Sequence, residues 1–467
     1  MRVFMLGWEF PPFISGGLGT ACYGLTKAMS GIGTDIIFVL PRPVATPFST
    51  HVRLVSPRPD SPLALPVTDV RMDEFQRVTF HGVDAQLSDP YQSAEQYKTG
   101  RPRTYSAGGT SSATVTVSTT SSATAPKPAA PPPAPAKAKV DAPAASFIGP
   151  PGGAQYAGDL LAEVARYAAL ATEIARQESF DVVHAHDWMT FPAGLAVAAL
   201  KGVPLVVHVH STEFDRSGMH VDQRVYEIER RGMHGAMRVI AVSHWTKNIV
   251  THHYGIDPDK VEVIYNAIDV NGHGENADHY DIQKDEKIVL FLGRITMQKG
   301  PEYFLAAAKK VLEVMDNVKF VMAGSGDMIR RTIEMAAAMG IGHKVLFTGF
   351  LRGTDVERVF KMADLYVMPS VSEPFGIAPL EAMSHDVPVI VSKQSGVSEM
   401  LQHALKVDFW DVHEMANKII AVLKHPPLAS TLRQHGSFEV RRRNWTDAAR
   451  SVVQVYQTAV GMVHGHP

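Results

Sequence analysis

The chain has 467 residues, 45% hydrophobic and 20% charged, a balance that excludes collagen-like, wholly disordered and disulfide-scaffold classes. A formal net charge of −2 leaves no basic excess for nucleic-acid phosphates, so no nucleic-acid partner is expected. The single cysteine, Cys22, forbids an internal disulfide, and the one dense basic run, Arg441-Arg442-Arg443, reads as a solvated face.

The opening MRVFMLGWEFPP is too short an apolar run for a signal peptide, and no stretch reaches the roughly 18 apolar residues of a membrane span. A cytoplasmic address without a transmembrane segment is expected. Arg2 to Gly7 reads as a short buried strand. A Gly-rich loop follows, Ile14-Ser15-Gly16-Gly17-Leu18-Gly19, and the helical apolar spacing from Leu18 to Met29 is ended by Gly31 and Gly33. Thr34 to Leu40 is a second strand. This strand–loop–helix–strand opening starts an α/β unit on a parallel sheet. Prolines at 41, 43, 47, 57, 59, 62 and 66 then break up several short strand candidates.

Residues 106–146 differ in kind. Of these 41 residues, 12 are Ala, 7 Ser, 6 Thr and 7 Pro, too little apolar surface to offset the entropy of ordering, so the segment reads as a disordered loop. The rest of the chain then suits two large domains. The alternation resumes beyond the loop, which makes it an insertion inside the first domain. Helix Asp159–Gln177, strand Asp181–His186, helix Phe191–Leu200 and strand Pro204–His210 come first. Helix Val221–Met233, strand Arg238–Val242, helix His244–Tyr254 and strand Lys260–Tyr265 follow.

The polar, aperiodic stretch 271–286 reads as the interdomain linker, dividing the chain into domains 1–275 and 276–467. The final helix of the second is expected to pack back on the first. Strands 287–292, 318–323, 344–347, 364–368 and 387–391 alternate there with helices near 300–315, 327–339, 354–362 and 376–384. The fold class is therefore α/β, two Rossmann-like domains facing across a cleft, with ligands expected outside the carboxyl ends of the strands.

Arg294 and Lys299, five apart at the end of strand 287–292, can both point into the cleft and neutralise a diphosphate. Charge-assisted bonds of this kind contribute about 1.5–3 kcal/mol each. A lysine in the first helical turn opposes the macrodipole, so the helix itself gives no reason for Lys299. Glu373 and Glu381 flank a second loop that opens a helix. There the N–H groups of Phe375, Gly376, Ile377 and Ala378 would form an anion site, Glu381 would take ribose hydroxyls and Glu373 a sugar hydroxyl. Two carboxylates beside an anion site suit a ligand carrying both phosphate and many hydroxyls, as a nucleotide sugar does. Gly16-Gly17 is a weaker phosphate signal, and neither a dinucleotide fingerprint nor a P-loop is present.

His184-Ala185-His186-Asp187 and His208-Val209-His210 are H-x-H pairs at strand ends, each sharing one sheet face and able to ligate a metal. The downstream ligands of the H-x-H-x-D-H hydrolase pattern are missing, because residues 188 and 189 are Trp and Met, so no metal or other cofactor is expected. His210 is expected at the cleft, contacting sugar, with His184 and His208 structural. Asp257-Pro258-Asp259 resembles a D-x-D metal motif but reads as turn chemistry.

Taken in order, the Gly16-Gly17-Leu18 loop, His184 to Trp188, the strand ending at His210, the Arg294/Lys299 pair and the two-glutamate motif resemble the retaining GT-B glycosyltransferases, especially glycogen and starch synthases. The resemblance implies a hexosyltransferase using an ADP- or UDP-sugar donor and a glycan acceptor, without a required metal. It implies that Arg294 and Lys299 hold the diphosphate, Glu373 the donor sugar and Glu381 the ribose, with His210 and Asp187 on the N-terminal side. Gly16, Gly17, Phe375, Gly376 and Ile377 would line the phosphate site. At Ile14, where bacterial glycogen synthases carry a lysine, the chain departs from the pattern. Another sugar and a non-glucan acceptor therefore stay open. So do a metal-dependent hydrolase, an epimerase and a non-catalytic nucleotide-sugar-binding protein.

Overall fold

A computed structural model describes residues 1–10, 17–41, 77–82, 159–268, 286–463 and 465. The 106–146 insertion, Gly16 and residues 271–285 of the linker lie outside these described residues.

The first half is a seven-stranded sheet of β1 (Arg2–Leu6), β2 (Asp35–Leu40), β3 (Val78–Gly82), β4 (Val182–His186), β5 (Leu205–Val209), β6 (Arg238–Ala241) and β7 (Val261–Val263). Its order is β3-β2-β1-β4-β5-β6-β7, and every pairing is parallel. Runs such as Val3-Phe4-Met5-Leu6 and Leu205-Val206-Val207 are apolar at every position because both faces of a parallel sheet are covered. One face packs on α2 (Asp159–Gln177) and α3 (Phe191–Lys201), the other on α1 (Gly17–Gly31). After them in the chain come α4 (Glu213–Ser217), α5 (Gln223–Gly235) and α6 (His244–Tyr254).

The second half repeats the plan with β8 (Lys287–Leu292), β9 (Val318–Ala323), β10 (Val345–Gly349), β11 (Leu365–Met368), β12 (Val389–Ser392) and β13 (Leu405–Val407), in the order β10-β9-β8-β11-β12-β13, again all parallel. Helices α7 (Pro301–Leu312), α8 (Ile329–Ala338), α9 (Thr354–Met362), α10 (Ala378–Ser384), α11 (Gly396–Met400), α12 (Val412–Lys424) and α13 (Pro426–Arg441) surround it. In each sheet the strand order reverses between two central strands, β1/β4 and β8/β11. Crevices that receive ligands form at such points.

The last helix, α14 (Trp445–Val463), leaves the second half and lies against α1. Gly24 of α1 makes room for it, since a Cβ there would stand 2.2 Å from the Trp445 indole nitrogen. Trp445, Val452, Tyr456 and Ala459 thus complete the core of the first half, where the Tyr456 hydroxyl is hydrogen-bonded to His184 Nδ1.

Polar contacts join the halves directly. Ser243 Oγ donates to the Pro374 carbonyl at 2.5 Å and Ser372 Oγ to Asp215 Oδ1 at 2.5 Å. The Glu399 carboxylate accepts from the N–H groups of His244 and Trp245 at the start of α6 and from the Tyr265 hydroxyl. A carboxylate there satisfies orphan N–H donors and complements the helix dipole.

One expectation is corrected. Lys299 is not in the first turn of a helix: it ends the 3₁₀ turn Met297–Lys299, and α7 begins two residues later at Pro301. Gly300, at φ 64°, separates the two, and a Cβ on it would lie 2.2 Å from the Pro369 carbonyl oxygen. The close approach and the left-handed backbone both require glycine. They press the loop after β8 onto the loop after β11.

Candidate active site

The charged half of the site stands at the β8/β11 crevice. The Val371 N–H donates to the Gln298 carbonyl at 2.9 Å, locking the two loops together. Across this lock the Lys299 ammonium and the Glu373 carboxylate form an ion pair, with Ser370 Oγ donating to the same carboxylate oxygen at 3.2 Å. Glu373 is 6% exposed, so the pair is largely shielded from water. Arg294 donates to Gln298 Oε1 at 3.3 Å, which turns its guanidinium toward the same loop. Lys299 and Glu373, expected to act on different parts of a ligand, are thus one electrostatic unit.

Beyond them, Gly376 takes φ 100°, and the N–H groups of Gly376 and Ile377 donate to no backbone carbonyl among the described residues. The Phe375 ring is buried and packs near Tyr265 of the first half. Glu381 lies in the first turn of α10, and its side chain makes no hydrogen bond among the described residues. Burial without a partner pushes its carboxyl up to about 7.

The uncharged half stands at the ends of β4 and β5. Asp187 is one of two non-glycine residues with positive φ among the described residues, at 59°. That strained turn aims its carboxylate at the N–H groups of His210 (2.6 Å) and Ser211 (3.3 Å), tying the two strand ends together. Burial raises the Asp187 carboxyl to about 7, against the lowering effect of those bonds. His184, His186, His208 and His210 form a ring-on-ring cluster on the α1 face, with centroids 4.2 Å apart for 184/186 and for 208/210. His186 Nδ1 lies 2.9 Å from His210 Nε2. Burial pushes the imidazoles well below the usual histidine range, to about 3 for His184 and His210, so all four are neutral near pH 7.

The halves meet through Thr212–Ser217. Thr212 and Asp215 form a reciprocal capping box that starts α4, and Arg216 is held by Glu213 and Glu229 in the interior. This short helix lies against Met297–Lys299. His210, bonded to Asp187, lies just before this helix in the chain, and Gly17, at the start of α1, is exposed after β1.

The family model for the starch synthase catalytic domain matches residues 2–122, that for glycosyltransferase family 4 residues 128–271, and that for glycosyl transferases group 1 residues 274–437. An uncharacterized glycosyltransferase of Methanocaldococcus jannaschii is 35% identical over 303 residues, 61% of this chain and 77% of the relative. The chain belongs to the GT-B glycosyltransferases. A Mycobacterium tuberculosis glycogen synthase is 25% identical over 98% of this glycosyltransferase and 95% of its own length. Among solved structures, sucrose-phosphate synthase from Thermosynechococcus elongatus superposes with a TM-score of 0.67 at 17% identity, covering 98% of both chains. Anabaena HepE in complex with UDP-glucose superposes at 0.62 and 16% identity, over 98% of this chain and all of that one. The metal-dependent hydrolase alternative finds no support in these relatives. Among the described residues, no helix of this glycosyltransferase is long and apolar enough to cross a membrane.

Sequence reasoning missed Asp215, Glu399, Tyr456 and the place of Cys22 close to His186 and His210. Of these, Asp215 alone carried a local signal: the T-x-x-D spacing of a helix start at Thr212.

Proposed function

We propose that this glycosyltransferase moves a hexose, glucose in the first instance, from an ADP- or UDP-sugar to a glycan acceptor in the cytoplasm, with retention of the α-configuration. The observation that carries the reading is the Lys299–Glu373 pair, shielded at the β8/β11 crevice beside Arg294. As the C1–oxygen bond to the diphosphate breaks, negative charge grows on the leaving phosphate. Arg294, Lys299 and the N–H groups of Gly16, Gly17, Phe375, Gly376 and Ile377 stabilise it, usually the largest contribution to such catalysis. Glu373 keeps Lys299 in place and meets the transferred sugar; Glu381 takes the ribose. His210 presents a neutral imidazole and its backbone to the sugar from the other side, and Asp187 positions that segment. The acceptor oxygen attacks on the face the phosphate leaves, and its proton passes to a phosphate oxygen. No metal is assigned to this reacting centre.

Nucleotide release from a panel of nucleotide sugars, with and without glucan primers, tests the assignment, and proton NMR of the product gives the anomeric outcome. Release stimulated by an α-glucan with α-product supports it. No release from any hexose donor, or a β-product, removes it. HepE was crystallised with UDP-glucose, so UDP-glucose and ADP-glucose lead the panel.

A further inference from the structure

The reaction uses one of the four clustered histidines, and the other three need a reason. His184, His186 and His208 are 0–2% exposed. His184 and His186 stand two residues apart on one face of β4, and His208 is the direct cross-strand partner of His186 on β5. One ring nitrogen from each falls within 4.8 Å of the others. Each of the first two has one nitrogen engaged, His184 Nδ1 with the Tyr456 hydroxyl and His186 Nδ1 with His210. The remaining nitrogens, His184 Nε2, His186 Nε2 and both of His208, are buried and have no hydrogen-bond partner among the described residues.

We propose that these three imidazoles hold a divalent transition metal of the zinc class, through His184 Nε2, His186 Nε2 and one ring nitrogen of His208. Three neutral nitrogens from adjacent strands suit a tetrahedral ion that keeps one open position. The partnered nitrogens have the form expected around such a site, since a metal-bound histidine commonly donates its other N–H to a neighbour. A second grouping, Cys22 with His186 and His210, is the weaker set. There the two histidines are already bonded to each other.

An ion on His186 Nε2 leaves Nδ1 as the only protonated nitrogen of that ring. Nδ1 then donates to His210 Nε2, which places the His210 proton on Nδ1. The metal touches neither donor nor acceptor. It is a support beneath His210, and this assignment stands apart from the proposed sugar chemistry.

The test is elemental analysis and cobalt(II) titration of the untagged full chain. About one equivalent of zinc after dialysis, or saturation by about one cobalt with tetrahedral visible bands, is expected. His184→Ala and His208→Ala should each lower the bound metal at least about tenfold, and Cys22→Ser should leave it unchanged. The wild-type titration stands even where a variant does not fold. Wild-type protein that takes up neither zinc nor cobalt overturns the proposal, a buried water then being the occupant. Uptake that survives both histidine variants, or that is lost with Cys22→Ser, overturns it equally.

Discussion

The two halves share one strand order around their central crevices, yet they end those strands in opposite chemistry. At β8/β11 stand Arg294, Lys299 and Glu373, with an ion pair already formed. At β4/β5 stand four neutral imidazoles and an aspartate whose carboxyl is raised to about 7. The same scaffold can thus be tuned to carry full charge or to suppress it. On the proposed function, charge stands where a leaving diphosphate is held, and neutral hydrogen-bonding groups stand where a sugar is contacted and a stray charge would bind phosphate in the wrong place.

The comparison breaks most severely if the charged end is dispensable. Arg294→Ala and Lys299→Ala should each lower turnover about 10²–10³-fold, the usual loss for one donor to a developing oxyanion. Near-wild-type nucleotide release at saturating donor from either variant would overturn the diphosphate assignment. A sharper test asks whether Lys299 and Glu373 are one unit. Lys299→Met strands the buried Glu373 carboxylate, so Glu373→Gln added to it should restore part of the lost stability. The expected coupling is about 0.5–3 kcal/mol in denaturant melts, and strictly additive losses would separate the pair.

Next in size is the ribose contact. Glu381→Gln should raise the donor KM with little change in kcat, because ground-state binding alone is lost. The Glu381 carboxyl is raised to about 7, so it is protonated below that pH and, on the proposed ribose contact, would accept hydroxyls best above it. Donor affinity should therefore fall as pH drops below 7, by up to about tenfold per unit, and the Glu381→Gln variant should lose this slope. Isothermal titration with the nucleoside diphosphate across pH 6–8 reads it directly. The smallest expected effect is that of removing residues 106–146: melting temperature and turnover should hold, since loop closure costs vary slowly with length. Insoluble or inactive protein would give that segment a role in the first half.

Local patterning made most of the scaffold legible. Apolar runs marked β8 at 287–292 and β9 at 318–323, and helical spacing marked Asp159–Gln177 and His244–Tyr254 to the residue. Cores covered on both faces write themselves into every position of a strand. Sequence paired Arg294 with Lys299 and Glu373 with Glu381, and the structure puts Arg294, Lys299 and Glu373 where strand order reverses. What escaped were contacts between distant segments. Lys299 and Glu373 are 74 residues apart, and His184 and Tyr456 are 272 apart. Nothing periodic connects such residues. The positive φ of Asp187 escaped for another reason: aspartate tolerates the left-handed region better than most residues, but which aspartate adopts it is decided by its surroundings. After residue 400 sequence offered only an expected final helix packing back on the first half, without bounds for β13, α12, α13 or α14.

The return of α14 to the first half has a consequence for biosynthesis. The chain finishes β7 at Val263, but the face of α1 around Gly24 is covered only when Trp445 and Tyr456 arrive. At the usual elongation pace of about 5–20 residues per second, that interval is roughly ten to forty seconds. For that time the nascent first half must keep a greasy stripe and the His184 imidazole uncovered, while the second half forms beside it. The second half is itself complete only at Arg441, so the half made first is the last to close, one helix after its neighbour.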